Sequence, residues 1–388
     1  MTATKMTATK TERAYLDWNA TAPLRPQARA AMVAALDAIG NPSSVHAEGR
    51  EARSIVEAAR ESVALLVGAE PRHVVFTASG TEANVLALSP QTGGHWQRLL
   101  VSAIEHPSVR AGGRFPAVEA VAATACGLVD LADLERRLAQ GPAPLVSLML
   151  ANNETGAVQP VAEAAALVHA AGGLLHVDAV QAAGRIVCDI NALGADLLTL
   201  SGHKIGGPKG AGALVKGGPL DLAPLVTGGG QERGQRAGTE NVASIAGFGA
   251  AAGAAEADLA PESTRMRGLR DRLEAGLRAG TPEVIIFAAE AERLPNTTLF
   301  TVPGLKAETA VILFDLEGVA ISSGAACSSG KVQPSHVLEA MGVSPQLARG
   351  AVRVSLGPAT TQDDIERFLT AWITVSGALL ERSRGMAA

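Results

Sequence analysis

Leu200-Ser201-Gly202-His203-Lys204-Ile205-Gly206-Gly207-Pro208-Lys209-Gly210 stands between two apolar runs. Asp196-Leu197-Leu198-Thr199-Leu200 precedes it and Ala213-Leu214-Val215 follows it. Apolar run, Gly/Pro turn, apolar run reads as strand, tight connection, strand. The first strand therefore delivers a serine, a histidine and a lysine together. A lysine held where packed strands meet is partly desolvated, which lowers its pKa and frees the amine as a nucleophile. Such an amine is suited to forming an imine with a carbonyl group. Taken alone, Lys204 would read as a surface residue beside a turn, so the rest of the chain has to decide.

Moving outward, the chain alternates. His73–Thr77 reads as a strand that feeds Ala78-Ser-Gly-Thr-Glu-Ala-Asn84, which opens a helix through Leu88. Strand, Gly/Thr turn and helix form a generic anion site, because free N–H groups and the positive helix end face the ligand. Further strands are expected at Arg98–Ser102, near Val118–Ala122, at Leu145–Leu150 and at Leu174–Asp178. Helices are expected at Pro26–Ile39, Glu48–Val67, Asp130–Ala139 and Val161–Ala171. This alternation predicts an α/β fold with a mostly parallel sheet covered on both faces. Ligands of such sheets bind at the carboxyl ends of the strands. His106, Asn153, Asp178, Gln181, Ser201, His203 and Lys204 all fall at or just past such ends.

Beyond Lys204, the Gly-rich run Thr227–Thr239 lacks the G-x-x-x-x-G-K-[ST] spacing, and no G-x-G-x-x-G opens a helix after the first strand. A nucleoside triphosphate or dinucleotide site is therefore not expected. A small-residue helix over Asn241–Leu259 precedes a charged helix from Pro261 to Arg278, read as the passage to a second domain. That domain carries expected strands at Val284–Ala288, Thr297–Thr301 and Val352–Ser355, with helices at Ala307–Glu317, His336–Met341 and from Thr361. The predicted division is a disordered extension 1–14, a large domain 15–260 whose segment 15–23 packs on the small domain, and a small α+β domain 261–388. Ile321–Gly330 has almost no bulk and reads as a mobile loop carrying the thiol of Cys327, within a stretch 321–333.

Length and composition set bounds. The 388 residues can bury one large core or a large and a small one. The net charge is −5, with both signs interspersed, which argues against nucleic-acid and membrane-surface partners. No apolar run approaches the roughly 20 residues that span a bilayer. The repeated Met-Thr-Ala-Thr-Lys at the N-terminus lacks the apolar stretch of a secretory signal, and a cytoplasmic location is expected. Cys126, Cys188 and Cys327 match no metal spacing, and their odd number points to free thiols. Cys126 and Cys188 lie among small apolar residues and read as structural.

These residues together supply a pyridoxal 5′-phosphate (PLP) site. Lys204 would form the Schiff base, and Asp178 would keep the pyridine nitrogen protonated. Gly80, Thr81, Ser201 and His203 would donate to the phosphate. Asn153 and Gln181 can reach the ring oxygen, while His106 can stack on the ring and relay protons. Arg353 could grip a substrate carboxylate as a bidentate pair, with Asn153 beside it.

The chain resembles cysteine desulfurases of the iron–sulfur-cluster and nitrogen-fixation type, in the class V aminotransferase group of fold-type I PLP enzymes. The segments that carry the resemblance include Tyr15-Leu-Asp-Trp-Asn-Ala-Thr, Ser79-Gly-Thr-Glu-Ala-Asn, Glu105-His106 and Asn152-Asn-Glu-Thr-Gly. They continue with His176-Val-Asp-Ala-Val-Gln, Ser201-Gly-His-Lys, Gly229-Gly-Gln-Glu-Arg-Gly-Gln-Arg-Ala-Gly-Thr, Ser322-Ser-Gly-Ala-Ala-Cys and Arg353-Val-Ser-Leu-Gly. The resemblance implies removal of sulfur from L-cysteine to give L-alanine, with Cys327 attacking the sulfur and keeping it as a persulfide. It implies a homodimer in which Thr239 reaches the phosphate of the neighbouring subunit's cofactor. It also implies an iron–sulfur scaffold or another acceptor for the sulfur, and a cluster iron that Cys327 could share with that scaffold. Many relatives carry Ser-Ala-His-Lys, and some carry Ala-Thr-Glu where this chain has Gly80-Thr81-Glu82. Glycine keeps the N–H donor, so PLP binding survives both changes. Two other readings stand beside this one: a selenocysteine lyase or another class V PLP lyase, and a non-catalytic, partner-binding relative of the fold.

Overall fold

The computed structural model describes residues 13–324 and 335–385. Its largest element is a seven-stranded sheet in the spatial order Val74–Thr77, Gly212–Lys216, Leu197–Ser201, Leu174–Asp178, Leu145–Met149, Leu99–Ser102, Glu119–Val121. The five strands from Leu197–Ser201 onward in that order run parallel. Gly212–Lys216 is antiparallel to both of its neighbours. That pairing follows from the Gly/Pro connection, which turns the chain back beside the strand it has just left.

The strands of this sheet are buried and apolar, and their side chains divide by alternation between two faces. Val74, Phe76, Val146, Leu148, Leu198 and Leu200 join one core, under helices that include Ala47–Leu66 and Val242–Ala257. Val75, Leu99, Val101, Leu145, Leu197 and Leu214 join the other, with Ala83, Leu86 and Ala87 of the helix Gly80–Ala87. A sheet covered on both faces leaves its strand ends as the places where polar side chains can gather.

The second half is built on an antiparallel sheet ordered Ser322–Ser323, Val352–Ser355, Thr297–Thr301, Ile285–Ile286. Its core stacks Phe314 on Phe368 at 5.0 Å and sets Phe300 edge-on to Trp372 at 5.3 Å. Ala14–Tyr15 pairs in parallel with Val319–Ala320, and Ala14 and Leu16 are buried in this same core. The N-terminal segment thus sits on the second half before crossing to the large sheet.

Three local expectations change. Ala14 lies in a strand and so leaves the expected 1–14 extension, whose residues 1–12 are outside the described residues. The charged helix starts at Leu259 rather than Pro261, and Pro261 sits in its first turn, where its missing N–H would have no intrahelical partner. Ser322–Ser323 is no free loop: it pairs with Val352–Arg353 at the edge of the small sheet. Residues 325–333 of the expected mobile stretch, with Cys327, lie outside the described residues.

Candidate active site

A cavity of about 280 Å³ opens at the carboxyl ends of the large sheet's parallel strands. Its walls include Gly80, Thr81, His106, Asn153, Asp178, Gln181, Ser201, His203 and Lys204. At one end lies the start of the helix Gly80–Ala87, where Ser79 Oγ accepts from the Glu82 N–H at 3.1 Å. A Cβ on Gly80 would lie 3.0 Å from Val180 Cγ2 and 3.2 Å from the Ser201 Cβ. The Gly80 turn therefore sits tightly against the strand ends, and the helix start offers N–H groups to an anion.

Asp178 ends its strand and is buried. Its Oδ1 accepts from the Val180 N–H at 3.0 Å and its Oδ2 accepts from Asn84 Nδ2 at 2.9 Å. Asn84 Nδ2 also donates to Ser108 Oγ at 2.9 Å, and Ser108 Oγ lies 2.7 Å from His106 Nδ1. The Ser108 N–H points at the same Nδ1, at 3.2 Å. Nδ1 is therefore an acceptor, and the ring proton belongs on Nε2. Burial among these groups lowers the His106 pKa, the Asp178 carboxylate raises it and Lys204 lowers it further. The neutral ring thus has one fixed tautomer, in line through Ser108 and Asn84 with Asp178.

Lys204 closes a single helical turn, Gly202–Lys204, directly after the strand Leu197–Ser201. Its Nζ donates to the carbonyls of Asn19 at 2.6 Å and Ala20 at 3.0 Å. Two carbonyls supply dipoles but no counter-charge. Burial, then the charges of Arg353 and Arg185, push its pKa down to about 7 despite Asp17 and Asp178. Near neutral pH a large share of this amine is uncharged and nucleophilic. Burial and Lys204 also hold His203 down to about 4, so it offers one neutral N–H donor. Its Nδ1 sits 3.1 Å from Thr21 Oγ1.

Asn19 also ties the two halves together. Its Nδ2 donates to the Asn153 carbonyl at 3.2 Å and to Thr297 Oγ1 at 2.9 Å, and its own carbonyl accepts from Gln181 Nε2 at 3.0 Å. Asn153 is presented by a tight turn that Asn152 builds: Asn152 Oδ1 accepts from the N–H groups of Glu154 at 2.9 Å and Thr155 at 3.0 Å. Arg353, in the strand Val352–Ser355, is almost wholly buried. It donates to the Asn153 carbonyl at 3.0 Å and to Asp17 Oδ1 at 2.8 Å, while its Nε has no partner among the described residues. Thr239 is exposed and borders a separate recess of about 220 Å³. Cys327 lies outside the described residues, and among the described residues no cluster of His, Cys, Asp and Glu could hold a metal ion.

A second cavity, about 330 Å³, is lined by Trp18, Arg185, Lys204 and Leu356 among others, but no carboxylate lines it. Of these two cavities among the described residues, the smaller combines an amine, a carboxylate and a glycine-lined turn. That donor set fits PLP: an amine for its carbonyl carbon, a carboxylate for its ring nitrogen and N–H groups for its phosphate.

Three further residues matter here that the sequence motifs do not single out. Asn84 lies four residues after Gly80 on the same helix, so the two share a face. Asn19 acts mainly through its backbone and amide. Asp17 is the carboxylate partner of Arg353. Only the side chain of Asn84 had a periodicity that could have exposed it.

Comparison with known proteins shows the family of the chain. The family described as Aminotransferase class-V matches residues 14–368. A cysteine desulfurase of Gluconacetobacter diazotrophicus is 41% identical over 381 residues, 95% of this chain and 94% of that protein. An IscS-like cysteine desulfurase of Mycobacterium tuberculosis is 39% identical over 370 residues, 92% of this chain and 94% of that protein. Among solved structures, a NifS-like protein from Rickettsia africae superposes with a TM-score of 0.87 at 37% identity, covering 94% of this chain and 100% of that one.

Proposed function

The chain belongs to the class-V aminotransferase family and is a cysteine desulfurase, and from that premise we propose how its residues divide the work. The observation that carries the reading is Lys204 Nζ, held by two carbonyls and no carboxylate, in one cavity with Asp178 and the Gly80 turn. Lys204 would hold PLP covalently. Asp178, fixed by Asn84 and the Val180 N–H, would pair with the ring nitrogen. The N–H groups of Gly80 and Thr81, with Ser201 and His203, would take the phosphate, and Thr239 of a second copy would complete the cradle in a homodimer. Asn153 and Gln181 would serve the ring oxygen. When bound, the cofactor supplies an electron sink for charge that develops on the substrate carbons.

The chain's own groups do the rest. Arg353 binds the carboxylate of L-cysteine. It must exchange its Asp17 partner for the substrate, so the site recognises a carboxylate with a guanidinium already fixed in orientation. His106, neutral with its proton on Nε2, is a hydrogen-bond donor to bound groups and a proton relay. The thiolate of Cys327 attacks the substrate sulfur. An S–S bond forms as the C–S bond breaks, the electron pair stays with the substrate carbon, and protonation there gives L-alanine. The persulfide on Cys327 then passes its outer sulfur to an acceptor, an iron–sulfur scaffold in the reading the family resemblance supports. In that reading the enzyme works in the cytoplasm, with residues 15–260 and 261–388 as its two domains.

The test uses the purified holoenzyme and L-cysteine without an acceptor. Cys327→Ser is expected to keep its cofactor absorbance and release almost no alanine, and peptide mapping of the wild type should find one extra sulfur on Cys327. Cys188→Ser should turn over within about twofold of wild type, because burial pushes the Cys188 thiol up to about 12 and leaves it unionised. Extra sulfur on Cys126 or Cys188, or alanine release by Cys327→Ser at the wild-type rate, would defeat the assignment.

A further inference from the structure

The glycine-rich loop after Lys204 contains two consecutive non-glycine residues in the left-handed region, Glu232 at φ 47° and Arg233 at φ 57°. Side chains disfavour that conformation, so something has to hold it. The Glu232 carboxylate is buried, and accepts from Arg60 at 2.7 and 2.9 Å and from the Phe76 N–H at 2.9 Å. Arg60 is fixed in turn by the Val74 carbonyl at 2.8 Å. The loop is thereby pinned to the strand Val74–Thr77, which leads into the Gly80 turn.

A second link lies further along the loop. Arg236 Nε donates to Glu82 Oε1 at 2.9 Å, and Glu82 Oε2 accepts from the Ala78 N–H at 2.9 Å. Glu82 stands in the first turn of the helix Gly80–Ala87. A carboxylate there favours the helix but opposes any anion at the same helix end. The anion turn therefore carries a negative charge of its own, and Arg236 is the cation bonded to it. Both side chains are largely shielded, with 24% and 16% of their surface exposed, so water screens the pair incompletely.

We infer that Arg236 is a positioning residue for the phosphate end of the cofactor: it neutralises Glu82 beside the Gly80 turn, and the buried Arg60–Glu232 pair holds its loop within reach. The inference rests on the reading that this turn takes the phosphate.

The experiment measures dissociation constants of PLP and of pyridoxal, which lacks the phosphate, for cofactor-stripped full-length protein. Arg236→Ala is expected to weaken PLP roughly three- to tenfold and leave pyridoxal unchanged. The double variant Arg236→Ala/Glu82→Gln should recover wild-type PLP affinity, since the opposing charge is gone. Equal weakening of PLP and pyridoxal would overturn the inference in favour of a general structural role. So would a double variant as weak as Arg236→Ala, or unchanged PLP affinity in Arg236→Ala. Ser201→Ala, which removes a side-chain phosphate donor rather than a backbone one, separates the two levels. If it weakens PLP while Arg236→Ala does not, only this inference fails; if it leaves PLP affinity intact, the phosphate reading fails and takes the inference with it.

Discussion

Two cations come from different sheets, and one N-terminal segment touches both. Lys204 follows a strand of the seven-stranded sheet and is met by the carbonyls of Asn19 and Ala20. Arg353 lies in the four-stranded sheet and is met by the Asp17 carboxylate, two residues earlier in the same segment. Carbonyl dipoles offset little of the desolvation of an ammonium, so the lysine gives up its proton easily. A carboxylate offsets the desolvation of a guanidinium, whose charge is in any case permanent. In the proposed function the same stretch of chain would prepare one cation as a nucleophile and the other as an anion receptor. The oxygens they meet differ in kind, carbonyl for the lysine and carboxylate for the arginine.

The largest expected effect tests the lysine side. In cofactor-free protein, acylation of Lys204 should titrate with a midpoint near pH 7, against about 10.4 for an ordinary lysine. At neutral pH that is a free-amine fraction on the order of 10³ times larger. Stability should follow. The unfolded chain keeps its lysine proton up to the ordinary value, while the folded protein releases it near 7. Between those pH values the unfolded state binds more protons, so this group's contribution to stability rises with pH there and is lost as pH falls toward 7. Lys204→Met should flatten that slope, and a slope unchanged by the substitution would erase the contrast with Arg353.

The arginine side predicts a smaller effect of another kind. Arg353→Ala should raise KM for L-cysteine by roughly 10²-fold, the loss expected when one member of a buried charge pair is removed. Its cofactor affinity should stay near that of the wild type. A fall in cofactor affinity as large as the rise in KM would mean that Arg353 belongs to the cofactor cradle and not to a receptor for the substrate. Smaller again is Asn84→Ala. It removes one buried hydrogen bond to Asp178 and one to Ser108, and turnover should fall about tenfold. The tautomer of His106 should loosen as well, visible in the ring-nitrogen chemical shifts. Unaltered shifts would break the proposed line from Asp178 to His106.

The contrast between the two cations was only half legible in the sequence. The strand Leu174–Asp178 and the turn at Gly202–Lys204 announce themselves through apolar runs ended by Gly and polar residues, so the polar rim of the large sheet could be read directly. The partners could not. Lys204 and Asn19 are 185 positions apart, and the contact uses a backbone carbonyl, which every residue possesses. Arg353 and Asp17 are 336 apart and meet only because Ala14–Tyr15 docks on the small sheet's half of the molecule. Ser322–Ser323 reads as loop by composition, yet its pairing with Val352–Arg353 makes it an edge strand. Local pattern reports where a chain turns. The charge state of a buried group depends on what arrives from elsewhere.

The central claim is that Lys204 is the amine prepared for the cofactor, and one measurement reaches it directly. Holoenzyme reduced with borohydride, digested and mapped by mass spectrometry should carry the pyridoxyl group on the peptide containing Lys204 and on no other lysine. A pyridoxyl group on Lys209 or Lys216 instead would contradict the account.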